Sequence, residues 1–339
     1  MDLDLRGHPL HSRALGIGIA QRADGRLDVA GTLLDLRKRG FVPVGGDLHG
    51  SGIVHHMLLD VVVDPASGRV EAASARQPSV AFEASAATEG ESCRDPIATA
   101  GALVGGNVAR GWPERVGDAL GGPKACFHVF TLAHFLGGTT AWALGRERAR
   151  FAGVARAAGQ RVYRRDVVID GAQLPDGGLV LGLQLTDMLF APVDGVVPAM
   201  QRLGEHLEMR IQLTLRAPEF ATTGVAVAER RRDPSCLDVP WRPRPDVAAH
   251  LDGISLLRGA TATLLARFGE PGDDRPHLDA ALMLAPTLIQ VFAAVADWAS
   301  TAARDRWLLG MGGRPDSCWM WRRGGALARL RTPDDPARL

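Results

Sequence analysis

The sequence predicts an α+β protein built as two tandem copies of one unit, each an antiparallel sheet followed by helices, packed together as an intrachain pseudo-dimer. Three observations predict it. The chain matches itself at a shift of 152 positions, the separation of Asp35 from Asp187, so that Asp24-Gly25-x-Leu27…Leu33-x-Asp35 falls on Asp176-Gly177-x-Leu179…Leu185-x-Asp187 without a gap. In the same register His11-Ser12-Arg13 meets Tyr163-Arg164-Arg165, and His56-Met57-Leu58-Leu59-Asp60-Val61 meets Glu208-Met209-Arg210-Ile211-Gln212-Leu213. The second observation is that each copy opens with strand signals, and the third is that the apolar period then lengthens to three and four.

The strands come in hairpins. Arg13 to Gln21 and Arg26 to Leu36 are rich in Ile, Val and Leu and flank Asp24-Gly25, a dipeptide that supplies the positive φ of a tight turn. Met57 to Val63 and Arg69 to Ala75 flank Asp64-Pro65-Ala66-Ser67-Gly68. The second copy repeats the scheme with Arg165 to Ile169, Leu179 to Leu185, Met209 to Leu215 and Gly224 to Glu229. Helical spacing follows over Ile97 to Val108, Pro113 to Leu120 and Cys126 to Leu144, and in the second copy over Val247 to Leu257, Ala260 to Phe268 and His277 to Trp298. The boundaries this implies are 1–150 for the first copy, 151–315 for the second, and 316–339 for a tail containing Asp316-Ser317-Cys318. Two such copies pack most simply about an approximate two-fold axis, as a homodimer does.

Composition narrows the function. Among 339 residues, 46% are apolar, 23% charged and 5% aromatic, so each copy can bury a core. The formal charge is +1 with arginines interleaved among acids, which argues against a nucleic-acid partner. Four cysteines without a Cys-x-x-Cys pair fit a reducing compartment. The acidic start Met1-Asp2-Leu3-Asp4 is no signal peptide, and the apolar run Ala280 to Ala296 is shorter than the roughly 20 residues of a membrane span. The expectation is a cytoplasmic protein with no membrane partner, possible as a homo-oligomer.

No nucleotide-binding or hydrolase motif is present, since Gly16-x-Gly18 sits inside a strand and Gly310-x-Gly312-Gly313 opens no helix. Chemistry therefore has to come from clusters. His11 and Arg13 alternate on one strand face about 7 Å apart, where an imidazole beside a permanent cation can move a proton and hold an anion. His55-His56 opens an apolar strand; His56, with Asp35 or Asp60 to fix its tautomer, is the expected general base, and Glu208 holds its place in the second copy. Cys126-Phe127-His128 begins the long helix, a position that favours anions and lowers a thiol pKa. Cys93, Cys126, His128 and Cys318 together offer the thiolate and imidazole donors that zinc prefers. Seven tryptophans stand against one tyrosine, and Trp112 and Tyr163 are candidates to line an aromatic-binding pocket with Asp35, Cys126 and Glu208.

These motifs, in order, resemble a bacterial family known as domain of unknown function 2889. The family pattern has His-Thr-Arg, an Asp-Gly hairpin, Leu-x-Asp, His-Asp-Met, Pro-x-x-Cys, Gly-Trp, Gly-Gly-x-x-Gly-Cys-Thr-His-Leu and a late Asp-Ser-Cys-x-x-Trp. Here stand His11-Ser12-Arg13, Asp24-Gly25, Leu33-Leu34-Asp35, His56-Met57, Cys93, Gly111-Trp112, Gly121-Gly122-Pro123-Lys124-Ala125-Cys126-Phe127-His128 and Asp316-Ser317-Cys318-Trp319-Met320-Trp321. Ser12 and Phe127 replace threonines, and no acid separates His56 from Met57. The first copy carries the pattern in full, the second faintly. What the resemblance implies about activity is an association with bacteria that degrade aromatic or steroid-like compounds, where cofactor-free lyases and hydrolases act.

The expected function is acid–base catalysis, without a cofactor, on an apolar aromatic or steroid-like small molecule, as a carbon–carbon or carbon–oxygen lyase. His56 would be the base, His128 or His11 the acid, and Arg13 the anion holder. The alternatives are a zinc-dependent hydrolase using the Cys/His set, and a non-catalytic ligand-binding or assembly protein.

Overall fold

The computed structural model describes residues 3, 6–39, 42–44, 47–86, 88–216, 218–295 and 315–329. In chain order these form β1 (His8–Gln21), β2 (Leu27–Arg37), β3 (Val42–Val44), β4 (Asp47–His49), β5 (Gly52–Val63), β6 (Val70–Ser79), α1 (Trp112–Leu120) and α2 (Phe127–Phe151). After these come β7 (Arg161–Gln173), β8 (Leu179–Phe190), β9 (Leu203–Arg216), β10 (Ala221–Arg232), β11 (Arg242–Pro243), α3 (Pro245–Leu251), α4 (Ala260–Phe268), α5 (Arg275–Leu282), α6 (Leu284–Val295) and α7 (Ala326–Arg329). The class is mixed, with one large antiparallel sheet.

Nine strands form that sheet in the order β11-β10-β9-β8-β7-β1-β2-β5-β6, while β3 and β4 make a separate ribbon. Both Asp-Gly turns form as expected, with Gly25 at φ 83 and Gly177 at φ 85. At the centre β1 pairs with β7, Arg13 facing Ile169, Leu15 facing Val167 and Ile17 facing Arg165. Leu15 and Val167, which coincide at the 152-residue shift, are thus direct neighbours. The seam expected near residue 150 falls where α2 ends and β7 has yet to begin, but one hydrophobic core runs through both parts.

Period-two alternation decides which face is covered. Leu15, Ile17 and Ile19 of β1, Leu33 of β2, Met57 and Leu59 of β5, and Val167 and Ile169 of β7 are buried under the helices. From the helix side Leu132 and Leu136 of α2 and Leu288 and Val291 of α6 meet them. Burying one face of an antiparallel sheet is what fixes its register, because a one-residue slip would turn this whole set to solvent. Trp112 braces α1 against α2 by donating Nε1–H to the Ala133 carbonyl at 2.9 Å. Gly137 permits that approach, since a Cβ there would lie 1.9 Å from the indole nitrogen.

The helices differ from expectation at their ends. Ile97 to Val108 is a 3-10 helix over Asp95–Leu103, and Gly105, at φ 85, turns the chain after it. The first helix after the second set of strands stops at Leu251, ahead of Gly253 at φ 70. His277 to Trp298 is divided at Met283: Pro286 has no N–H to donate to the Leu282 carbonyl, so α6 starts afresh with proline in its first turn. Trp298 lies outside the described residues. Among the described residues the helical run Gly272–Ala294, 23 residues, is long and apolar enough to cross a membrane by length and composition, which exceeds the span expected from the sequence; 61% of its apolar window is buried in the fold. The C-terminal segment returns to the first half, where Trp319 donates its backbone N–H to the Ala125 carbonyl at 3.0 Å.

Candidate functional site

Three adjacent strands deliver one cluster to the covered face. On β1, His11 and Arg13 alternate inward; β2 sets Asp35 directly across from Arg13, and β5 sets His55 across from Asp35. Between His55 and Ile53 the β2–β5 register shifts by one residue, leaving Val54 and His55 both buried. That bulge re-aims the start of β5 toward the carboxylate. His128, in the first turn of α2, comes down from the helix layer, with Cys126 just before it.

Asp35 is the hub, and its side chain is 0% exposed, as are those of His11 and Arg13. Arg13 holds it bidentately, Nε to Oδ1 and Nη2 to Oδ2, both at 2.8 Å. His11 Nε2 lies 2.9 Å from Oδ1. His55 Nδ1 and His128 Nε2 each approach Oδ2 at 3.4 Å, neither with the alignment of a hydrogen bond. Their rings stack, centroids 3.6 Å apart and planes 25° off parallel. Behind His128, Gln290 Nε2 is 3.2 Å from its Nε2 and Cys126 Sγ 3.7 Å from its Nδ1.

Electrostatics assign the protons. Burial alone pushes the Asp35 carboxyl up, but the Arg13 charge, the hydrogen bonds from His11 and Arg13 and the nearby His55 ring outweigh it and hold the group well below the carboxylate range. Asp35 is therefore ionised and accepts only, so His11 must carry its proton on Nε2 and present the lone pair on Nδ1. That Nδ1 is buried and has no partner among the described residues. Burial also lowers the His11 pKa, partly offset by Asp35, so the ring is neutral near pH 7. Burial, with His128 alongside, lowers His55 to about 4. Cys126 is the acidic thiol of its neighbourhood: the nearby Cys93 thiol lowers its pKa, His128 adds to this, and Cys93 is raised in consequence. Burial pushes Cys318 up to about 12.

The His55 shift makes a stability prediction. Its folded pKa of about 4 lies below the ordinary 6.5, so the unfolded chain takes up more protons between those values. This contribution to stability is complete above pH 6.5 and is lost as pH falls toward 4, on the order of 3 kcal/mol in all. Urea unfolding at pH 7.5 and pH 4.5 should show wild type losing clearly more stability on acidification than His55→Phe. Equal losses would contradict the buried neutral imidazole.

The structure thus assembles His11, Arg13, Asp35, His128 and Cys126 from the sequence candidates, and adds His55, which the sequence reading passed over. His56 is half-buried on the opposite face of β5 between Leu34 and Ser79, away from the hub, so the place expected for it belongs to His55. The available signal is the period of two, because His55 alternates with the buried Met57 and Leu59. Glu208 likewise faces away from the core and pairs with Arg230 and Arg232 of β10. Trp112 is a packing residue between α1 and α2 rather than a pocket wall. Cys93 and Cys318 gather near Cys126. Among the described residues the donors that converge for a metal are instead Asp35, His55 and His128, whose ligand atoms lie within 4.8 Å of one another.

A related arrangement occupies the second half. Arg165 holds Asp187 through Nε and Nη2, both at 2.7 Å, and its Nη1 donates to Asp279 Oδ2 at 2.6 Å and approaches Thr139 Oγ1 at 3.3 Å. Tyr163, at the position matching His11, accepts a contact of 3.3 Å from Arg165 Nη2. Tyr163 and Asp187 line a cleft of about 230 Å³ with Trp142, Arg146, Arg150 and His206.

A family model matches residues 11–141, that of a protein of unknown function (DUF2889). The matched span contains His11, Arg13, Asp35, His55, Cys93, Cys126 and His128, whereas Arg165, Asp187, Asp279 and Cys318 lie beyond it. No curated protein and no solved structure matches the chain.

Proposed function

Over residues 11–141 the chain belongs to the DUF2889 family of proteins of unknown function, and from that premise we propose that it is an acid–base enzyme, a lyase, with His11 as the base. One observation carries the reading: an ionised, arginine-held Asp35 fixes His11 in the tautomer whose Nδ1 lone pair is buried and unpartnered. A carboxylate that orients an imidazole is the recurrent device for a general base near neutral pH. His11 Nδ1 would take a proton from substrate carbon, the C–H electron pair would become the new double bond as the carbon–oxygen or carbon–carbon bond breaks, and His128 would protonate the leaving group. An aromatic or steroid-like molecule is the proposed substrate. No nucleotide enters the scheme.

We also propose that the two halves are tandem copies arranged as an intrachain pseudo-dimer, with one working centre. The mirror order of strands about β1 and β7, and Leu15 facing Val167, support it. The four cysteines, none in a disulfide, support a cytoplasmic location. The test of the acid–base reading is turnover of aromatic and steroid-like intermediates: wild type converts one without added metal, and His11→Gln does not.

A specific observation favours a second reading, a zinc-dependent hydrolase. Two imidazoles and one carboxylate converge within 4.8 Å, a donor set that suits zinc. Bound there, the metal would activate water. Elemental analysis of protein purified without chelators decides: about one zinc per chain, lost in His128→Ala, establishes it, and less than about 0.2 per chain removes it.

A further inference from the structure

Arg13 and Arg165 occupy matching places in the two halves and differ at one atom. Each is 0% exposed, and each gives Nε and Nη2 to both oxygens of an aspartate on the next strand. The third nitrogen sets them apart. Arg165 Nη1 meets Asp279 and Thr139, whereas Arg13 Nη1 is buried and has no acceptor among the described residues. From the helix layer the first half brings His128, which lies 3.4 Å from Asp35 Oδ2 and leaves Arg13 Nη1 without a partner among the described residues.

A guanidinium taken wholly out of water keeps its donors paired, and the strongest partner for them is a carboxylate. The second half supplies that partner from its own chain. We infer that the first half takes it from the ligand: the site binds an aromatic or other apolar carboxylate, with the carboxylate on Arg13 Nη1. This deepens the acid–base reading by naming the substrate class. His11 lies two residues along the same strand face, so a ligand anchored at Arg13 would present an atom about 7 Å away to Nδ1. Asp35 does not compete for this contact, because its two oxygens already face Nε and Nη2.

The experiment is calorimetric titration of the full chain at constant ionic strength with benzoate, phenyl phosphate and benzamide. Benzoate should bind at least about 10-fold more tightly than benzamide, the factor that one charge-assisted contact readily supplies. Arg13→Lys, which keeps the charge but loses the guanidinium fork and its third nitrogen, should weaken benzoate at least about 10-fold with an unchanged circular-dichroism spectrum. Benzamide binding as tightly as benzoate, phenyl phosphate surpassing it, or no benzoate binding by wild type would each overturn the inference, whether or not Arg13→Lys folds. So would undiminished benzoate binding by a folded Arg13→Lys. The titration is independent of turnover: His11→Gln that binds benzoate and still turns over sinks the acid–base reading alone, while loss of benzoate preference with a dead His11→Gln sinks only the carboxylate assignment.

Discussion

Arg165→Met should lower the free energy of unfolding by about 3–5 kcal/mol, the cost of stranding buried carboxylates without their cation. Asp187 and Asp279 are each about one-twentieth exposed and both depend on this one guanidinium, Asp187 through two nitrogens and Asp279 through the third. Burial alone would weaken the Arg165 charge, but Asp187, Tyr163 and Asp279 raise its pKa well above the ordinary value, so the cation persists in the folded state. Asp279 has a second partner in Arg275, 2.7 Å away on the same helix, and Asp187 therefore bears most of the loss. The companion variant Arg165→Met/Asp187→Leu/Asp279→Leu should recover most of the stability, because a buried ion cluster often does no better than apolar residues of its volume. Urea unfolding of both proteins tests the pair of expectations. A loss below about 1 kcal/mol in the single variant would mean that the cluster is wetter than its geometry implies.

His11→Gln is the second large effect. A positioned general base contributes 10²–10⁴-fold, about 3–5 kcal/mol of barrier, and glutamine removes the base while its amide can still donate to Asp35. The rate should fall by that factor with the fold intact. Wild-type activity should hold below pH 6.5, since burial lowers the His11 pKa, and should fail only when acid protonates Nδ1. The variant's residual rate should lose that acid limb. Normal turnover, or an unchanged acid limb, would take the role away from His11.

Much of this is legible in the residues themselves. Asp24-Gly25 and Asp176-Gly177 announce their hairpins because the glycine accepts the left-handed backbone that closes each three-residue loop, and Ala260–Phe268 is a helix with the bounds its spacing suggests. His11, Arg13 and Asp35 stand out by chemistry, but that Arg13 faces Asp35 follows from register, which no local pattern contains. The choice between His55 and His56 turns on strand parity, and the bulge at Val54 then aims the correct ring at the hub. Cys318 joins Cys126 only because the chain returns to Ala125 from nearly two hundred residues away. Asp279 stands in His277-Leu278-Asp279, the second half's counterpart of Cys126-Phe127-His128, and its importance appears only beside Arg165. Trp112 looks like a ligand platform as a residue type and is a brace because Gly137 lets it be one.

The long central ladder between β1 and β7 joins residues more than one hundred and forty positions apart, such as Arg13 and Ile169. During synthesis the N-terminal half must therefore wait, its broadest strand offering unsatisfied backbone to any passing neighbour, until the other half emerges. Closure of that ladder is a late, non-local step that slows folding. The edge left open in the nascent chain thus lies in the middle of the finished sheet, far from either rim.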